Sequence, residues 1–147
     1  MNRMSVMKSF AAGAGAVAVM GLAFAAAAQQ AGQAATSGIY SKAQADRGAK
    51  LFADGCARCH GASMEGLDVA PALTGPRFLG NYLGQPAAAL SSRIRTSMPL
   101  DMPGSLGLQA SADLTAAILA ANGYPAGSAE LPSSSSAQAA ITIDPAK

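Results

Sequence analysis

The chain has 147 residues, a formal net charge of +2, 12% charged residues and 50% hydrophobic residues. That length admits one domain with trimmings at its ends, and so weak a charge gives no basis for nucleic-acid binding or strong electrostatic steering. Aromatic residues make up 5%, tryptophan is absent and much of the apolar fraction is alanine; with burial worth roughly 25 cal/mol per Å², such side chains make a thin core, and something besides side chains is expected to fill the interior.

Arg3 and Lys8 form a positive start, followed by the uncharged run Phe10 to Ala28, which ends in Ala26-Ala27-Ala28 before Gln29. Charge, apolarity and a small-residue end identify residues 1–28 as a secretory signal peptide. The run is about long enough to span a membrane, but it is rich in Ala and Gly and lacks basic residues behind it, so cleavage is favoured and no stable membrane insertion is expected. Removing it leaves eight basic residues against eight acidic ones. Export, here to the periplasm, also places the cysteines in an oxidising compartment.

Residues 29–37 are small and polar and read as a flexible lead-in. Ser41 with Gln44 three residues on is a capping-box pattern, predicting a helix from Ser41 to about Asp54. Gly48 interrupts it at a cost of roughly 1 kcal/mol against Ala; simple tolerance and a second helix crossing closely there explain it equally well. Gly55 can end the helix. Residues 61–85 form a long Gly/Pro-rich connection with scattered apolar residues, of a kind uncommon unless the loop wraps something. Pro86 suits the first turn of a second helix reaching about Thr96. A loop broken by Pro99, Pro103 and Gly104 leads to a third helix, Leu108 to Asn122, with Leu114, Ile118 and Ala121 on one face and Gly123 as its stop. No alternating strand run stands out. Residues 126–147, with their serine run, read as a polar, disordered tail. The expected domain is therefore all-α and spans residues 38–125.

The two cysteines and the single histidine all fall in "CARCH", Cys56 to His60. A redox dithiol wants a strand before it in a βαβ setting, and here a helix precedes it. A structural zinc site needs four ligands, and no further Cys or His exists. The spacing C-x-x-C-H is that of c-type haem attachment: two thioethers form to the haem vinyl groups, and the next residue offers an imidazole to iron. A haem would also fill the thin core.

"RGAKLFADGCARCHG", "APALTGPRF", "IRTSMP" and "PGSL" occur in the order seen in class I monohaem cytochromes c, which residues 41–125 resemble. The resemblance implies a small cytochrome c-like fold, three to five helices and long loops wrapped around one covalent haem c with its iron, the first and last helices crossing at Gly48. Ala117 and Ser111 stand where the family usually carries aromatic residues, a departure that bears on the tightness of that crossing. It also implies Cys56 and Cys59 as covalent anchors, His60 as proximal ligand, and the Pro71 carbonyl as acceptor for the second ring nitrogen. Of the methionines beyond the signal segment, Met64 lies too close to His60 to reach the other side. The family's Met-Pro ligand step favours Met98 over Met102 as the distal ligand. Arg77, Tyr82, Arg93 and Arg95 are the donors available to haem propionates.

With both axial positions filled, iron can only change oxidation state. The expectation is a periplasmic electron carrier rather than an enzyme, with no catalytic residues, meeting redox protein partners such as a periplasmic dehydrogenase or a terminal oxidase. "NGYPAGSAELP" resembles the stretch after the last helix in cytochrome domains associated with quinoprotein dehydrogenases, so a haem-bearing subunit of such a complex is the second reading. A pentacoordinate haem sensor is the third, and a thiol–disulfide oxidoreductase the fourth.

Overall fold

The computed structural model describes residues 32–146; the signal segment and the first residues of the lead-in lie outside them. Among the described residues there are six α-helices and no strand, only isolated bridges. They are α1 (Lys42–Gly55), α2 (Ala57–His60), α3 (Gly75–Tyr82), α4 (Ala87–Ser97), α5 (Leu108–Ala121) and α6 (Ser135–Ala139), preceded by a 3₁₀ turn at Ala35–Ser37. No helix among the described residues is long and apolar enough to cross a membrane.

The first, second and third expected helices are α1, α4 and α5, with ends within a residue or two of those read from the sequence. Ser41 caps α1 by accepting the Gln44 amide at 3.1 Å, but Gln44 does not close the box. Its amide group instead makes a reciprocal pair with the backbone of Leu131, donating from Nε2 to the carbonyl at 3.0 Å and accepting the N–H at 2.7 Å. The connection over 61–85 is not wholly loop, because α3 forms inside it. Pro76 occupies the first turn, where its missing N–H has no partner to lose, and the rings of Phe78 and Tyr82, one turn apart, meet at 5.3 Å.

α1 buries Gln44, Ala45, Gly48 and Phe52, spaced by about one turn, against α5, which is buried over most of its circumference. Gly48 marks a close crossing: a Cβ there would lie 1.8 Å from the Asp113 carbonyl oxygen and 2.9 Å from the Ala117 Cβ. The missing aromatics therefore do not loosen the contact, since Ala117 is itself the small residue that lets the backbones meet. Beside the crossing, Arg47 Nε and Nη2 fork onto the two oxygens of Asp113 at 3.0 and 3.1 Å, and Gln109 donates to the same carboxylate at 2.9 Å. Burial raises the Asp113 pKa, but these donors outweigh it and hold the carboxyl below its ordinary value. Arg47 Nη2 also meets Glu130 at 2.9 Å.

The domain is longer than residues 38–125. The segment read as a disordered tail packs on the helices: Leu131, Gln138, Ile141 and Ile143 are buried, and α6 lies against α4. The lead-in, read as flexible, pairs with it. Ala35 N–H donates to the Thr142 carbonyl at 2.8 Å, Thr142 N–H to Gln33 at 2.9 Å, and Gly32 N–H to Ala140 at 2.7 Å. On the other side, Ile143 and Ile141 exchange backbone bonds with Gln85, Gly84 and Ala87 at the start of α4. The tail is ordered because its few large apolar residues fill gaps that the alanine-rich helices leave, while its backbone bonds to two other segments.

Candidate functional site

A cavity of about 780 Å³ opens between α1–α2, the 69–73 loop, α3–α4 and the 98–101 segment, with Leu114 and Ile118 of α5 behind it. All of CARCH except Ala57 lines it. Cys56 is where α1 stops: its N–H closes the last turn on Phe52 at 2.8 Å, and its own carbonyl accepts from both Cys59 at 3.1 Å and His60 at 3.0 Å. This single turn sets both half-buried thiols and the imidazole on the cavity wall. Burial pushes the Cys56 thiol up, with Arg58 acting against it.

His60 is buried, and its Nδ1 lies 2.8 Å from the Pro71 carbonyl, the acceptor that the resemblance implies. A carbonyl oxygen can only accept, so Nδ1 carries the proton and Nε2 keeps a free lone pair for a metal. The loop holding Pro71 is fixed locally. Gly66 turns at φ +81°, where a Cβ would strike the Ala72 nitrogen at 2.4 Å, and Leu73 N–H donates to Met64 at 2.8 Å. Asn122, just past α5, clamps the loop from outside. Its side-chain Nδ2 donates to the Leu73 carbonyl at 2.9 Å, and its Oδ1 accepts the Gly75 N–H at 3.0 Å.

The three methionines separate by position. Met98, half-buried at the C-terminal cap of α4, lines the cavity with Pro99. Met64 is buried but does not line it, and Met102 is 60% exposed and does not line it either. Of the four candidate propionate donors, Tyr82 and Arg93 line the cavity, whereas Arg77 and Arg95 do not. Burial raises the Tyr82 pKa, opposed by the nearby Arg93 charge, so the phenol is a neutral donor. Sequence reasoning missed Asn122, Arg58 and Asp101. Arg58, inside CARCH, also lines the cavity and reaches across to Asp101 at 2.5 Å; no local pattern announces a pair 43 residues apart.

The residues fit a covalent haem. The cavity volume is that of a cofactor site, its walls are mainly apolar, and two thiols, an imidazole nitrogen and a thioether share one space. The zinc reading loses ground, because no group of three or more His, Cys, Asp and Glu side chains among the described residues is placed to hold a metal ion.

Residues 45–116 match the family model for cytochrome c. Among solved structures, the sulfane dehydrogenase SoxCD from Paracoccus pantotrophus is 34% identical over 54% of this chain, with a TM-score of 0.48, and the match covers 43% of that chain. No curated protein matches. Residues 45–116 thus form a cytochrome c domain. Its cofactor is covalent haem c, for which Cys56, Cys59 and His60 supply the C-x-x-C-H motif.

Proposed function

We propose that this protein is a periplasmic electron carrier whose haem iron is held by His60 and Met98 and whose haem is anchored by Cys56 and Cys59. The observation that carries the reading is that Met98 lines the cavity occupied by Cys56, Cys59 and His60, while Met64 and Met102 do not. Haem bound in this way supplies a one-electron change between Fe(III) and Fe(II). The chain's own residues do the rest. Pro71 fixes the His60 ring and makes Nε2 the ligating atom. Phe52, Leu90, Ile94, Leu114 and Ile118 exclude water from the cavity wall, and Tyr82 and Arg93 offer donors to the propionates. The exported location rests on the charge, apolarity and small-residue end of residues 1–28.

The test is a reduced-minus-oxidised absorption spectrum of the exported protein and its methionine variants. Met98→Ala should abolish the far-red sulfur-to-iron band of the ferric form, and Met102→Ala should keep it. The reverse result would transfer the ligand role to Met102, and ready carbon monoxide binding by the reduced parent at neutral pH would support the pentacoordinate reading instead.

A second reading, the haem-bearing subunit of a periplasmic dehydrogenase, is favoured by the cavity rim. Val69 and Leu100 both line the cavity and are 71% and 70% exposed, an apolar edge suited to a protein contact. Co-purification of a dehydrogenase with the cytochrome from its source cells, lost on Val69→Glu with Leu100→Glu, supports this reading; a cytochrome that purifies alone supports a free shuttle.

A further inference from the structure

The segment 98–106 lines the cavity through residues 98–101 and Leu106 with few anchors. Its backbone bonds are all local: Met98 N–H to Ile94 at 3.1 Å, Met102 N–H to Pro99 at 3.0 Å and Ser105 N–H to Met102 at 3.2 Å. Among the described residues, one hydrogen bond ties it to a distant part of the chain, from Arg58 Nη2 to Asp101 Oδ2 at 2.5 Å. Arg58 stands between the two cysteines of CARCH, and Asp101 follows Met98 by three residues. The pair therefore joins the segment that carries His60 to the segment that carries Met98, and both members line the cavity. Leu100, between Met98 and Asp101, is exposed, so apolar packing does little to hold the middle of the segment.

We propose that the Arg58–Asp101 bridge is a latch: Arg58 and Asp101 are positioning residues that hold the Met98 segment over the cavity and slow its displacement by competing iron ligands. The inference rests on Met98 being the distal ligand. A loop of this kind must move outward before an external ligand can take the methionine's place, and the bridge has to open with it. Both side chains are half-exposed, so the effect is modest and sensitive to salt. Exposed pairs change equilibria by factors of about two to five, and charges this exposed are screened over about 8 Å at physiological ionic strength.

The test uses the ferric holo-cytochrome and imidazole as the probe, with its binding followed by absorbance. At low salt Arg58→Gln and Asp101→Asn should each bind imidazole about two- to fivefold faster than the parent. The double variant should be no faster than either single one, and the gap should narrow in 1 M salt. Asp101→Glu and Arg58→Lys should restore most of the protection. Asp101→Asn leaves CARCH untouched, so it reports on the latch even if Arg58→Gln impairs haem attachment. Single variants that bind imidazole at the parent rate, or effects that multiply in the double variant, overturn the latch. A parent without a far-red band that depends on Met98 overturns the ligand assignment and the latch together; a parent with that band and unaltered imidazole rates in the variants overturns the latch alone.

Discussion

Gly48→Ala separates two physical effects of opposite sign. In an unconstrained helix the change is worth roughly 1 kcal/mol of added stability through backbone entropy and helix propensity. At this position the new methyl would lie 1.8 Å from the Asp113 carbonyl oxygen and 2.5 Å from its carbon. An ordinary contact is about 3.5 Å, so α1 and α5 must part by more than an ångström at their crossing. These are backbone atoms, and no rotamer change can relieve them. Overpacking of this kind costs about 1–3 kcal/mol. Parting the helices also stretches the fork from Arg47 to Asp113, which adds to the loss. With the stretched fork offsetting the propensity gain, the expected loss is about 1–3 kcal/mol. Urea unfolding of the holo-protein, with far-ultraviolet circular dichroism as readout, should show the midpoint falling by about 0.5–1.5 M at an unchanged slope. A variant as stable as the parent, or more stable, would refute the close crossing.

Leu131→Ala should cost about 2–4 kcal/mol by the same assay, because it opens a cavity in the core beneath the tail; a change under 0.5 kcal/mol would return residues 126–146 to a disordered tail. Cys56→Ala and Cys59→Ala should each lose one thioether, seen as a shifted pyridine haemochrome band, and the double variant should release its haem in acidified organic solvent; full retention in a single variant would remove that residue as an anchor. Asp113 and Asp144 both have carboxyls held below their ordinary value: burial raises each, but side-chain donors outweigh it, Arg47 and Gln109 at Asp113 and Thr36 at Asp144. A depressed folded pKa contributes stability that is present above the unfolded value, near 3.9, and is lost as pH falls toward the folded one. Stability should therefore drop below about pH 4, and Asp113→Asn should flatten that drop while lowering stability at pH 7; an equally steep acid limb in the variant would contradict the assignment.

What could be read in the sequence was what local rules encode. Ser41 is a cap because its hydroxyl bonds three residues ahead, and CARCH is a site because its spacing alone sets the geometry of one turn. Gly48 left two explanations open, and only the position of Asp113, from a helix 65 residues on, decides between them. α3 was hidden because Gly75, Pro76 and Gly80 mark it as a loop, although Pro76 sits where a helix tolerates proline. The tail was misread for a deeper reason. Leu131, Ile141 and Ile143 follow no helical or strand period, and a serine run separates them, yet Ser134 caps α6 by accepting the Ala137 N–H. Their order comes from Gln44, Gln85 and Thr142 bonding between segments, which no window along the chain can contain. Arg58 and Asp101 escaped notice in the same way, as two ordinary surface charges until the fold sets them together.

The pairing of the lead-in with the tail has a mechanical consequence. Residues 34 and 142 are bridged in parallel, so the chain enters the domain at one end of this ribbon and leaves from the other. Tension applied between the two ends pulls the two segments along their own length in opposite directions. The bonds at Gly32, Ala35, Thr142 and Thr36 are then loaded in shear and share the force, instead of peeling open one by one. Neither segment lines the haem cavity, so a pull on the ends is borne on the side of the domain that takes no part in holding the cofactor.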